Sequence, residues 1–237
     1  MNKLELIKRL EKYPVFNLNT LIRIINKKRE YARLVLYRLK KDKFIFGLEK
    51  NKYTLYKDPL IIASNIVWPS YISCWTALRY YNLTEQLPQK VFIITTRARK
   101  NNKLKFIDTE FIFIKIKQKY FFGYKKESYQ TFSIFIAEPE KAIIDSVLLR
   151  KISFSEISEI IKKYRNDLDI KLFVKYLLKL KNKTLIKRFG FLFDKLKIYP
   201  AFKLKKFISN KYIFLDYAGP KIGRRNRNWR IIENVRF

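Results

Sequence analysis

Three features of the sequence predict an α+β protein: a helix, tight turn, cationic helix and ribbon over residues 17–56, a succession of short strand-period runs over 91–136, and a largely helical last third. The expected architecture is a winged helix-turn-helix over residues 1–57, followed by a mixed α/β domain over 58–237. Within that second domain a short-stranded sheet is expected in 58–150 and a basic helical part in 151–237.

Each element has a local reason. Leu4, Ile7 and Leu10 recur at helical spacing, and Pro14 stops that helix. Asn17 stands where an N-cap belongs, ahead of Leu18, Leu21, Ile22 and Ile25. Lys27 and Lys28 lead into a helix on which Ala32, Val35, Leu36 and Leu39 share one face. Arg33, Tyr37, Lys40 and Lys41 project from the other face. At its start Lys28 and Arg29 add to the partial positive charge of the helix N-terminus. Phe44, Ile45, Phe46 and Leu48 then run to a polar turn at Glu49, Lys50 and Asn51, and 52–56 runs back, offering Lys50 and Lys52 to a nearby backbone.

After Asp58 and Pro59 the chain turns apolar over 60–67. Residues 70–83 read as a turn and a helix, with Ser73 as cap and Trp75, Leu78 and Tyr81 on one stripe. Strands are predicted at 91–98, 103–107, 111–117, 120–125 and 129–136. Glu138 and Pro139 open a helix continued by Ala142, Ile143, Leu148 and Leu149. Ser155 is expected to cap a helix through Tyr164, Asp169 another through Leu180, and 185–196 forms a third. Residues 212–215 are strand-like and precede a cationic segment around Trp229.

Charge narrows the function classes. Lys plus Arg is 53 against 20 acids, a net charge of +33, while hydrophobic residues make up 48%, so the chain packs a core and still calls for a polyanionic partner. Residues 1–57 carry +11, 58–150 carry +6 and 151–237 carry +16, so both ends are basic around a more ordinary middle. With one cysteine, Cys74, and no histidine, neither an intrachain disulfide nor a Cys/His zinc site is available. No run approaches the roughly 18 apolar residues of a membrane span. Nor do the cations gather on one long amphipathic helix, so no membrane partner and a cytoplasmic location are expected.

Catalytic readings fare poorly beside packing ones. Glu138, Glu140 and Asp145 form the best carboxylate cluster, yet Glu140 and Asp145 lie five apart and share no helical face. First-turn acids serve the helix dipole, and Asp145 is accounted for by a cation partner. Asp108 and Glu110 straddle a turn without a third acid or a Gly-rich loop, and Cys74 reads as a buried structural thiol. No catalytic residue, cofactor or metal is therefore assigned. A second basic set comprises Arg97, Arg99, Lys100 and Lys103, either a solvated turn or a contact loop, together with Lys221, Arg224, Arg225, Arg227 and Arg230. The latter read either as a flexible tail or, since Trp229 argues against pure disorder, as part of a packed or base-stacking segment.

Four stretches, in order, carry a family likeness: YISCWTALRYYNL at 71–83, KVFIITTRARK at 90–100, AEPEKAIIDSVL at 137–148 and FLDYAGPKIGRRNRNWRIIENV at 214–235. As a set they resemble the AbiEi family, the antitoxin and transcriptional regulator of type IV toxin-antitoxin pairs. The resemblance implies an N-terminal domain that binds inverted repeats in its own promoter as double-stranded DNA. It also implies a C-terminal domain that opposes a nucleotidyltransferase-like toxin without a stable complex. Where members often have His-Gly after the Ala-Leu helix, this chain has Tyr81 and Asn82, which leaves open a solitary regulator without a toxin. An RNA-binding protein acting through the basic C-terminal third stays open beside it.

Overall fold

The computed structural model describes residues 2–199 and 201–236, residue 201 by its backbone alone. It is an α+β chain, and its contacts fall into two compact units. One comprises Met1–Ile72, Gln89–Ile116 and Lys126–Ile136, the other Ser73–Pro88, Lys117–Lys125 and Ala137–Phe237. The boundary expected after residue 57 is not where the contacts divide. Residues 1–57 do have their own core, in which Leu6, Leu10, Leu21, Ala32, Leu36 and Ile45 pack together, but their hairpin is fastened to a sheet built from later residues.

In the first unit, α1 (Lys3–Leu10), α2 (Leu18–Ile25) and α3 (Arg29–Lys41) precede a hairpin of β1 (Phe46–Glu49) and β2 (Lys52–Thr54). Leu4 is a correction: it is exposed, and Leu6 takes the core position, one helical turn before Leu10. Asn17 caps α2 as expected, its Oδ1 accepting from the Thr20 N–H at 2.9 Å. A second asparagine joins it from the hairpin turn, where Asn51, at φ 58°, accepts the Leu18 N–H at 3.0 Å. Asn26, left-handed at φ 49°, ends α2 and turns the chain into α3. Phe16 and Tyr53 exchange two backbone hydrogen bonds of 2.9 Å, tying β2 to the segment between α1 and α2.

The apolar run after Asp58 is a helix, α4 (Pro59–Asn65), whose first amides bond to the Asp58 carboxylate. The expected turn at 70–73 is instead a wholly buried strand, β3 (Ser70–Ser73). After α5 (Cys74–Tyr80), a six-stranded mixed sheet takes in β4 (Lys90–Thr95), β5 (Lys103–Phe106), β6 (Thr109–Lys115), β7 (Tyr124–Tyr129) and β8 (Phe132–Ala137). Its strand order is β5-β6-β4-β3-β8-β7. Val91 to Thr95 are all buried, as a parallel strand covered on both faces requires, and β4 does pair parallel to β6. The strand expected at 120–125 is displaced: 118–120 is a single 3-10 turn and β7 begins at Tyr124. Phe122 leaves strand period because its ring packs edge-on against Tyr176, 5.2 Å between centroids.

The second unit is mostly helical, with α6 (Pro139–Leu148), α7 (Phe154–Tyr164), α8 (Ile170–Leu180), α9 (Lys183–Lys195) and α10 (Ala201–Lys205). Phe173 lies 5.0 Å from Phe189 and 5.2 Å from Phe193, edge to face, at its centre. Asp169 caps α8 as expected. The cap of α7 is Ser153, in a reciprocal capping box with Glu156. The expected cap, Ser155, gives its hydroxyl to Asp216 instead, at 2.6 Å. A small sheet closes the chain, with β11 (Ile231–Glu233) antiparallel to β10 (Arg224–Asn226) and parallel to β9 (Ile213–Phe214). Among the described residues no helix is long and apolar enough to cross a membrane.

Candidate nucleic-acid interface

The face of α3 opposite its core side is open. Ala32, Leu36 and Leu39 are buried, while Arg29, Arg33, Tyr37, Lys40 and Lys41 are exposed, Tyr37 by 65%. Lys28, at the N-cap position, is exposed and has no side-chain cap bond. The Lys40 ammonium lies 3.8 Å from where a Cβ on Gly47 would stand, so the cationic face of α3 meets β1 there.

The two hairpin cations part company. Lys50 is exposed at the turn. Lys52 is half-buried, paired with Glu49 at 2.8 Å and donating to the Ile66 carbonyl at 2.6 Å. The contact role expected for Lys52 is thus already filled by protein groups, and its ammonium fastens the hairpin.

The second basic set divides between the units. In the first, Arg97 and Lys100 are exposed, and Lys103 sits 3.4 Å from Glu110. Arg99 is the surprise: its side chain is only 11% exposed, its Nη2 meets Glu49 Oε2 at 2.5 Å, and its guanidinium lies 3.8 Å from the Phe113 ring centroid. Burial opposes ionisation of Glu49, but the hydrogen bonds and charges of Lys52 and Arg99 outweigh it and hold the carboxyl below its ordinary range. In the second unit Lys221, Arg224, Arg225 and Arg227 are exposed on or beside β10. Arg230 is half-buried and donates to the Tyr212 hydroxyl at 3.4 Å. This segment is held in place, because Trp229 is buried and its Nε1 donates to Asp194 at 2.9 Å.

Glu138, Glu140 and Asp145, the helix carboxylates weighed for catalysis, have protein partners. Glu138 accepts from the Tyr176 hydroxyl, and Glu140 accepts the Asp169 N–H at 2.8 Å, with burial raising its pKa. Asp145 pairs with Lys141 and takes a 3.0 Å hydrogen bond from Ser73, so Ser73 stands at the N-cap of α5 as expected while its hydroxyl makes no cap bond. Cys74 is wholly buried, and burial, helped by the Asp145 charge, pushes its thiol up to about 12. Since the folded value lies above the ordinary one near 9, this contribution to stability is complete below about pH 9 and is lost as pH rises toward 12. The urea midpoint is therefore expected to fall more steeply above pH 9 in the parent than in Cys74→Ala. Parallel curves would count against the assignment.

Sequence reasoning missed two parts of this surface, the Arg99–Glu49 pair and the Asn51 cap. Each joins residues far apart along the chain, and the only local signal was the Glu49-to-Lys52 spacing. The motifs that carry the family likeness turn out to hold internal bonds: besides Ser73 and Asp145, Asn234 accepts the Asp216 N–H at 2.9 Å and donates to the Pro220 carbonyl at 2.7 Å. No family model matches the chain, and a search of curated proteins finds no significant match.

Proposed function

We propose that this chain is a double-stranded DNA-binding transcriptional regulator of AbiEi type, acting as an autorepressor on inverted repeats in its own promoter. In this reading α1 to β2 form a winged helix-turn-helix, α3 is the recognition helix and the β1–β2 hairpin is the wing. The observation that carries it is the two-sided character of α3, with one face in the core and the other presenting Arg29, Arg33, Tyr37, Lys40 and Lys41 to solvent. A helix of 13 residues is about 20 Å long and about 10–12 Å across, a body that the roughly 12 Å wide major groove admits. Arg29, Arg33, Tyr37 and Lys40 enter or border the major groove, Lys41 and Lys50 hold phosphates, and the protein works in the cytoplasm. Its C-terminal part, residues 58–237, opposes a nucleotidyltransferase-like toxin without a stable complex.

Binding measured against salt on specific and random duplexes tests the assignment. Arg33→Ala is expected to lose roughly 1–3 kcal/mol on the specific site and to blur one base position. Lys41→Ala is expected to weaken both duplexes alike and to lower the slope of log affinity against log salt by about 0.9. Parent-like binding by Arg33→Ala on both duplexes would remove α3 from the interface.

The RNA-binding alternative is favoured by one feature, the ordered ribbon that exposes Arg224 and Arg225 beside Arg227. Structured RNA that displaces promoter DNA at equal salt would support it, and displacement only by DNA would dismiss it.

A further inference from the structure

Within the first unit, the cationic face of α3 leads across β1 to the loop between β4 and β5. Lys40 lies over Gly47 of β1, and Glu49 follows two residues along a strand that advances about 3.3 Å per residue. Glu49 grips Arg99 of the loop between β4 and β5. That loop is ordered at both ends: the Arg97 N–H bonds to Thr95 Oγ1 at 3.1 Å, and the Asn102 carbonyl accepts the Phe113 N–H at 2.8 Å. Arg99 turns inward over Phe113, while Arg97 and Lys100 on either side of it face solvent. A cation lying over a ring and paired with a carboxylate contributes little to an outside polyanion but fixes where its neighbours stand.

We infer that the DNA contact runs past the hairpin turn onto the β4–β5 loop, where Arg97 and Lys100 bind backbone phosphates and the Arg99–Glu49 pair holds the loop in register with Lys50. The inference rests on the DNA-binding reading above and extends it, because the sheet then supplies part of the footprint. Arg99 is a positioning residue and does not touch the duplex. Phosphate contacts add affinity without reading sequence, so their signature lies in the salt dependence.

The test uses the full chain and one duplex pair, specific and random. Arg97→Ala/Lys100→Ala is expected to lower the salt slope by about 1.8, two contacts at about 0.9 each, on both duplexes alike. Arg99→Gln is expected to lower it in the same direction, and Arg99→Lys, which keeps a charge for Glu49, to restore most of the loss. The control, Lys171→Ala/Lys175→Ala on α8, removes the same charge and is expected to leave the slope unchanged. An unchanged slope in Arg97→Ala/Lys100→Ala overturns the inference, as does an equal fall in the control, which would mean that net charge sets the slope. Arg33→Ala, measured beside them, reports separately on the recognition helix: if it alone loses specific binding, the winged-helix reading stands and only the loop contact fails.

Discussion

Gly190→Ala is expected to destabilise the protein by about 1–3 kcal/mol, the range for overpacking a closely fitted core, and Trp229→Ala by about 3–5 kcal/mol. Gly190 lies in the buried stretch of α9, and a Cβ there would stand 2.1 Å from Cζ3 and 2.5 Å from Cη2 of the Trp229 indole. The missing side chain is the seat of the indole. One helical turn on, Asp194 receives the indole N–H, so helix period alone aligns both halves of the seat. The sign of the effect makes the account easy to break. In a Trp229→Ala background the clash is gone and only the helix propensity of alanine remains, a gain of up to about 1 kcal/mol. Gly190→Ala should therefore change from destabilising to neutral or stabilising. Urea unfolding followed by circular dichroism measures the four corners of this cycle, and additive losses would refute the seat.

Asp145→Ala is expected to lose about 3–5 kcal/mol, because it removes the carboxylate paired with the Lys141 ammonium in the interior. The two side chains are 0% and 2% exposed, so water replaces neither partner. Lys141→Met/Asp145→Leu together should recover most of that loss, since an apolar pair of similar volume carries no charge to desolvate. Denaturant midpoints of Asp145→Ala and of the double variant decide it. A double variant no more stable than Asp145→Ala would mean that the pair does more than compensate its own burial.

Much of the fold could be read from the sequence where its causes are local. The α3 faces follow from Ala32, Leu36 and Leu39 at spacings of three and four, and Asn17, Pro139 and Asp169 mark helix starts within a few residues of the amides they serve or replace. The Ser153 cap is also legible, because Ser153 and Glu156 have capping-box spacing, whereas only folding brings Asp216 to the Ser155 hydroxyl. The candidate site was legible in outline only: which cations on α3 face outward follows from period, whereas the fates of Lys52 and Arg99 depend on Ile66 and Glu49.

The sequence by itself determined the α+β composition, the order of the N-terminal helices and ribbon, the two-faced character of α3 and the large positive charge. Those properties depend on residues within a helical turn of one another, or on a sum over the chain. Only the tertiary structure decided that β3 is a buried strand, that Arg99 turns inward while Arg97 and Lys100 stay out, and that Trp229 closes over a glycine on α9. In each case the deciding partner is brought close by folding, and whether a side chain meets water, a carboxylate or a ring is settled only when that partner arrives.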